Sequence, residues 1–132
     1  TFSGNPVSTK VGMDTFNYLK KNSNKINRHT NILSKKLEKE VNEFCIKKNL
    51  RFRLQRFESI IRPVFSDKFF KDKFERNIAD KNFLKSLELK KYLIQDNIFI
   101  SSNCCFFISY CHNKKNIETL IFTLKKILNK IF

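Results

Sequence analysis

With 132 residues, 41% of them hydrophobic and 14% aromatic, the chain has enough apolar material to bury one real core, which argues against disorder and against a second domain of comparable size. Lys and Arg number 27 against 12 Asp and Glu, giving a formal charge of +15 and a sequence pI of about 9.9, a balance that first suggests nucleic acid or another anionic surface. No run of about 18 apolar residues is present, so there is no membrane span, and the start Thr1-Phe2-Ser3-Gly4 lacks the basic and apolar regions of a secretory leader.

These readings predict a soluble, cytoplasmic chain, and the missing initiator Met suggests that Thr1 is not the natural start of translation. The charge is partly a compositional habit. Lys supplies most of it, Asn, Ile and Phe are abundant, and Gly and Pro number only 2 each, the skew of A/T-rich coding. Nucleic-acid sites need clustered charge with Arg for planar contacts, and Arg is scarce. The four cysteines, Cys45, Cys104, Cys105 and Cys111, read as free thiols in a chain with no secretory signal.

In chain order, Asn5-Pro6 forms a helix cap, and a helix follows to about Lys21 with Val7, Val11, Phe16, Tyr18 and Leu19 on its apolar side. Lys21-Asn22-Ser23-Asn24 reads as a break. A second helix over 25–48 carries Ile26, Leu33, Leu37, Val41 and Phe44 at helical spacing, with His29 on its solvated side. Leu50, Phe52 and Leu54 alternate with Arg51, Arg53 and Gln55, the pattern of a half-buried strand, and Ser59 to Phe65 pairs back with Pro63 at an edge or bulge. A charged excursion over 66–79 precedes a helix from about Asp80 to Gln95, supported by Phe83, Leu84, Leu87 and Ile94. A broken strand pair, Ile98 to Ile100 and Cys105 to Tyr110, leads to a last helix capped by Asn113, with Ile117, Leu120, Ile121, Leu124, Leu128 and Ile131 as its buried stripe. The implied class is α+β, a small antiparallel β-sheet covered by helices.

Catalytic motifs are few. No P-loop, G-x-S-x-G or H-E-x-x-H occurs. Cys104, Cys105, Cys111 and His112 lie close enough to suggest zinc, but adjacent cysteines on a strand point to opposite faces and no C-x-x-C pair exists, so packed strand residues are the better reading. The turn Thr1 to Pro6 places a hydroxyl and backbone N–H groups before a helix, an arrangement that can hold a phosphate or can be an ordinary capped turn.

Thr1-Phe2-Ser3-Gly4-Asn5-Pro6, followed by a helix with Gly12, resembles the T-[FL]-S-G-N-P segment of class III aminotransferases, the pyridoxal 5'-phosphate (PLP) enzymes of fold type I, and especially the glutamate-1-semialdehyde aminomutase-like subgroup. Phe57 to Phe65 resembles the F-G-S-x-F-R-x-x-F hairpin strand of aminotransferase modules related to that subgroup. Ile98 to Ile100, Phe107-Ile108-Ser109-Tyr110-Cys111-His112 and Asn116-Ile117 are similar to the closing strand, F-L-S-x-x-H turn and last helix. The resemblance implies a C-terminal part: 1–24 as the end of the large domain with the connecting helix, and 25–132 as the small domain. It implies a homodimeric parent enzyme that acts on an amino acid or amino-aldehyde. Thr1 and Ser3 stand at cofactor-binding positions, Thr1 reaching the phosphate of the neighbouring subunit's PLP and Ser3 shaping the turn. Arg62 is a candidate for a substrate carboxylate or a solvated strand arginine, and His112 orders the turn. Glu58 and Asn103 stand where glycine is usual, and Asn113 and Asn116 replace acidic caps. No lysine has the Schiff-base context, so the chain holds no catalytic residue of its own and should be inactive without a large domain. The alternatives are a small basic nucleic-acid binder using Arg51, Arg53 and Arg56, and a structural relic whose site is lost.

Overall fold

A computed structural model describes residues 4–68, 70–72, 74–76, 83–101 and 104–132. Helix α1 runs over Pro6–Lys47, β1 over Arg53–Phe57, β2 over Ile60–Val64, α2 over Phe83–Gln95, β3 over Phe106–Phe107 and α3 over Lys114–Ile131. The strands form one antiparallel sheet in the order β1-β2-β3. The α+β class expected from the sequence is therefore the one observed.

Helix α1 is continuous, so the break expected at 21–24 does not occur. Lys, Asn and Ser lower helix propensity only modestly, and no Gly or Pro interrupts that stretch. Its two halves meet different surroundings. Val7, Val11, Phe16, Tyr18 and Leu19 are all exposed, whereas Leu33, Leu37, Val41 and Cys45 enter the core. There they pack with Phe52, Leu54 and Ile61 of the hairpin region, Leu89 and Leu93 of α2, and Ile117, Leu124 and Leu128 of α3. Lys36 on α1 reaches Glu118 on α3 at 2.7 Å, and this hydrogen-bonded pair holds the Glu118 carboxyl below and the Lys36 ammonium above their ordinary values. Both groups face solvent, so the pair fixes the helix contact more than it stabilises the fold.

Asparagine does the work of glycine at the helix ends. Asn49 and Asn97 have φ of 53° and 58°. After α1, Leu50 N–H donates to Cys45 C=O at 2.9 Å and Asn49 N–H to Ile46 C=O at 3.0 Å. After α2, Ile98 N–H donates to Leu93 C=O at 2.8 Å and Asn97 N–H to Ile94 C=O at 3.0 Å, the same Schellman pattern. Asn49→Ala and Asn97→Ala are each expected to cost about 1 kcal/mol, read by urea denaturation, because alanine pays for the left-handed conformation that asparagine tolerates.

Several elements differ from expectation. Leu84, Leu87 and Ile94 lie on the exposed side of α2, and Leu89 and Leu93 supply its buried contacts; the Phe83 side chain and Asp80 lie outside the described residues. Ile98 to Ile100 is not a strand, because the Schellman turn at Asn97 directs it off the helix with no sheet neighbour. Only Phe106 and Phe107 of the segment 105–110 pair with β2, and Ile108 N–H extends that pairing to Ser59 C=O at 2.9 Å. Pro63 sits on the central strand rather than at an edge. It faces Leu54, whose N–H and C=O both go to Asn42, so this pair exchanges no ladder bonds and the missing N–H of Pro63 is not needed. In α3, Asn113 and Asn116 cap reciprocally, and the stripe expected there is buried with Ile127 added and Ile131 partly exposed.

Candidate functional site

The described part of the N-terminal turn is a helix cap. Asn5 Oδ1 accepts from Val7 N–H at 3.0 Å and Ser8 N–H at 3.1 Å, and Thr9 N–H donates to the Asn5 carbonyl at 2.9 Å. The first-turn donors at Val7 and Ser8 are thus already satisfied, and what α1 offers an anion is its dipole. Gly4 has φ of 86°, in the left-handed region where glycine carries no steric cost. Thr1 and Ser3, the expected phosphate contacts, lie outside the described residues.

A second feature is the sheet face turned away from the core. Adjacent strands place Phe57 opposite Ile60 and Ile60 opposite Phe107, giving an apolar row across the sheet whose members are 78%, 40% and 58% exposed. Beside it, Gln55 pairs in register with Arg62, and the Gln55 amide donates to the Phe70 carbonyl, drawing the excursion after β2 over this face. The result is a cavity of about 400 Å³ lined by Gln55, Arg56, Phe57, Ile60, Arg62, Phe70, Lys71, Asp72, Arg76 and Cys105. Arg62 Nε is buried and has no hydrogen-bond partner among the described residues. By contrast, Arg56 is committed: its guanidinium meets Glu38 at 3.1 Å, Asn31 Oδ1 at 2.8 Å and the Glu58 carbonyl at 3.0 Å. Glu58, at a position where the family resemblance carries glycine, has φ of 53°, which accounts for that preference.

The two histidines meet, which the sequence did not suggest. His29 is half-buried, not solvated: its Nε2 lies 2.8 Å from the His112 carbonyl and its ring meets Tyr110 edge-on at 5.2 Å. His112 Nδ1 accepts from Ser109 N–H at 2.9 Å, which ties the turn before α3 in the way expected of it. Lys25 Nζ lies over the Tyr110 ring, 5.8 Å from its centroid, and Tyr110 raises its ammonium above the ordinary value. The bonding of the cluster is structural, since His29 Nε2 meets a backbone carbonyl and His112 Nδ1 meets the backbone N–H and hydroxyl of Ser109.

None of the four cysteines is joined in a disulfide; Cys45 is buried, Cys104 and Cys105 are half-buried and Cys111 is exposed. Among the described residues no group of three or more His, Cys, Asp or Glu is placed to hold a metal ion, so Cys104, Cys105, Cys111 and His112 do not assemble as a zinc site there. Burial pushes the Cys45 thiol up to about 11. Because the folded value is raised, stability is intact below the unfolded thiol's range near 8.5 and declines as pH rises from there toward about 11. At pH 8 a thiol reagent is expected to label exposed Cys111 at once and Cys45 only at the rate of global unfolding, a difference that mass spectrometry of quenched samples measures. Fast labelling of Cys45 would contradict the packing described.

The basic strand face expected of a nucleic-acid binder is not formed. Arg53 is buried and donates to the Leu50 and Phe52 carbonyls at 3.2 and 2.6 Å, Arg56 is held by Glu38, and Arg51 stands exposed beside Asp67. Three arginines close in sequence therefore serve three different surroundings. No helix among the described residues is long and apolar enough to cross a membrane.

No family model matches the chain. It is 26% identical over 123 residues to a glutamate-1-semialdehyde 2,1-aminomutase of Caldicellulosiruptor bescii, an alignment covering 92% of this chain and 28% of that protein. A protein of the same description from Methanosphaera stadtmanae is 27% identical over 135 residues, covering 100% of this chain and 30% of the relative. The chain thus spans less than a third of the length of these relatives. In three dimensions it superposes on a glutamate-1-semialdehyde aminomutase from Pseudomonas aeruginosa with a TM-score of 0.74 at 17% identity, covering 82% of this chain and 24% of that one. An ω-transaminase from Sphaerobacter thermophilus gives 0.66 at 14% identity, covering 79% and 24%. Nearly the whole chain therefore resembles part of a class III aminotransferase of the glutamate-1-semialdehyde aminomutase kind, and its fold is one that these larger enzymes contain.

Proposed function

We propose that the chain is the C-terminal part of a PLP-dependent aminotransferase or aminomutase, with 1–24 joining it to a large domain and 25–132 forming the small domain that closes the site. The observation that carries this reading is the alignment of almost the entire chain with under a third of each aminomutase. Two surfaces support it. The apolar row Phe57, Ile60 and Phe107 and the exposed apolar side of α1 are the faces a larger neighbour would cover, in the same chain or in the second subunit of a homodimer.

PLP would supply the electron sink for moving an amino group of an amino acid or amino-aldehyde in the cytoplasm. Its phosphate would meet Thr1 and the turn shaped by Ser3, with the α1 dipole behind them. The described residues contribute no site that holds the cofactor by itself, because the first-turn donors of α1 belong to Asn5. The chain alone is accordingly inactive, and its residues orient, cover and bind, leaving proton transfer to a lysine of the large domain.

The test is to read the frame upstream of Thr1 and express the joined product with PLP. A bound cofactor with a visible absorption band, and amino-group transfer lost when the upstream lysine is replaced, is the expected result. A stop codon or an unrelated domain immediately upstream would overturn the reading.

A further inference from the structure

We propose that the open edge of β3 is a carboxamide-binding site, in which the backbone N–H and C=O of Phe107 take the amide of a neutral ligand and the cavity beside them takes its apolar stem. The inference goes beyond the function proposed above and does not depend on it.

Sheet register fixes which backbone groups face the edge. Ile108 N–H donates to Ser59 C=O at 2.9 Å and Ile60 stands opposite Phe107, so Phe107 belongs to a pair that exchanges no ladder bonds, and its N–H and C=O turn away from β2. The residues two places to either side turn the same way, and both are capped within the chain. Ser101 Oγ accepts from Cys105 N–H and donates to Cys105 C=O, each at 3.1 Å, and His112 Nδ1 accepts from Ser109 N–H at 2.9 Å. Between these caps the backbone of Phe107 meets no hydrogen-bond partner among the described residues. Strand β3 ends the sheet order, so its outer side is an open edge.

The opposite edge of the same sheet shows which group completes such a position. There the Asn42 carboxamide donates to Leu54 C=O at 2.9 Å and accepts from Leu54 N–H at 2.7 Å, so one planar amide serves both groups of one residue. Beside Phe107 lies a cavity of about 630 Å³, enough for what carries the amide. Phe106, Ile117 and Leu120 in its lining are buried, whereas Phe99 is 85% exposed, and an apolar stem would take that ring out of water. In a chain with 27 Lys and Arg, none of the described lining residues is Lys or Arg, and the acidic one, Asp96, faces Lys126 at 3.4 Å. A carboxylate would meet no cation in this lining and would set an acceptor against Phe107 C=O, whereas a carboxamide both donates and accepts.

The experiment adds 3-phenylpropionamide to the ¹⁵N-labelled chain and follows the backbone amide signals, with 3-phenylpropionate and N,N-dimethyl-3-phenylpropionamide in parallel. The expected result is a saturable shift of the Phe107 N–H signal with millimolar affinity for the primary amide. Binding of the carboxylate and of the dimethylamide, neither of which can donate to Phe107 C=O, should be at least tenfold weaker. Phe107→Pro removes the outward N–H without taking a ladder bond, as Pro63 does on β2, and should weaken the primary amide at least tenfold when binding is read from the methyl signals of Ile117 and Leu120. Phe107→Ala keeps the N–H and should weaken it less, which separates the backbone donor from the ring. The capped tripeptide Ac-Ala-Phe-Ala-NH₂ distinguishes the sources of the amide: tighter binding than 3-phenylpropionamide assigns the edge to an extended peptide, and equal or weaker binding assigns it to a small molecule. An unmoved Phe107 N–H signal, carboxylate bound as tightly as amide, or unchanged affinity in Phe107→Pro would each overturn the proposal. The titration contains no PLP, so its failure leaves the enzyme reading standing, and failure of the upstream lysine test leaves this result unaffected.

Discussion

Replacing Phe52 by Ala is expected to lower the unfolding free energy by about 3–5 kcal/mol, the largest effect of any single truncation described for this chain. Phe52 is fully buried where the chain leaves α1 and enters β1, and its ring meets Phe65 edge-on at 5.2 Å and 74°. Phe65 in turn stacks on Phe132 at 6.2 Å, so one ring joins the start of the hairpin, its end and the last residue of the chain. Phe52 belongs to one continuous cluster of buried Leu, Ile, Val, Phe and Cys side chains, whose close packing leaves little freedom to refill the vacated volume. Urea denaturation should show a lower midpoint at an unchanged slope. A loss below about 1 kcal/mol would mean that the site collapses around the truncation, contrary to the packing described.

Asn42 should be nearly as costly to lose, for a different reason. Its amide donates to the Leu54 carbonyl at 2.9 Å and its carbonyl accepts from Leu54 N–H at 2.7 Å, so a helix side chain closes the outer edge of β1 as another strand would. Asn42→Leu leaves both backbone groups buried without partners, at about 1–3 kcal/mol each. Asn42→Asp is the sharper test. The charged carboxylate keeps the bond to Leu54 N–H but sets a second oxygen against the Leu54 carbonyl, and burial raises its pKa. Relative to the wild type at each pH, the variant should therefore be least impaired below the ordinary aspartate value of about 3.9 and increasingly impaired as pH rises above it. A pH-independent difference would show that the two oxygens do not face the strand as described.

Much of this fold could be read from the residues. Asn113 before Ile117, Leu120, Ile121, Leu124 and Leu128 marks a helix because cap and stripe agree in register. Leu33, Leu37 and Val41 do the same for the second half of α1. Where reading failed, the deciding force was tertiary. Helix α2 carries apolar residues on more than one side, and contact with the rest of the core chose Leu89 and Leu93 over Leu84, Leu87 and Ile94. Ile98 to Ile100 has strand composition but leaves a left-handed asparagine in a direction that meets no strand. Arg62 was visible as an arginine on a hairpin strand. Its cavity was not, because the segment drawn over the open face by Gln55 and Phe70 has no periodicity that would announce where it lies. Likewise, nothing in the spacing of His29 and His112 says that one ring finds the other's carbonyl.

Helix α1 spans 42 residues, about 63 Å, yet only its second half is anchored. The geometric break expected at 21–24 is absent, but a thermodynamic one falls beside it, since exposure gives way to burial between Asn22 and Thr30. A stretch of some five turns that is exposed among the described residues has only the marginal stability of an isolated helix. Native-state hydrogen exchange should accordingly divide one unbroken helix into two cooperative units. Amides before Asn22 would open in local fluctuations, while those beyond Thr30 would open only with the core. The peptide hydrogen bonds are alike on both sides of that step, so the protection each amide enjoys is set by what its neighbours cover.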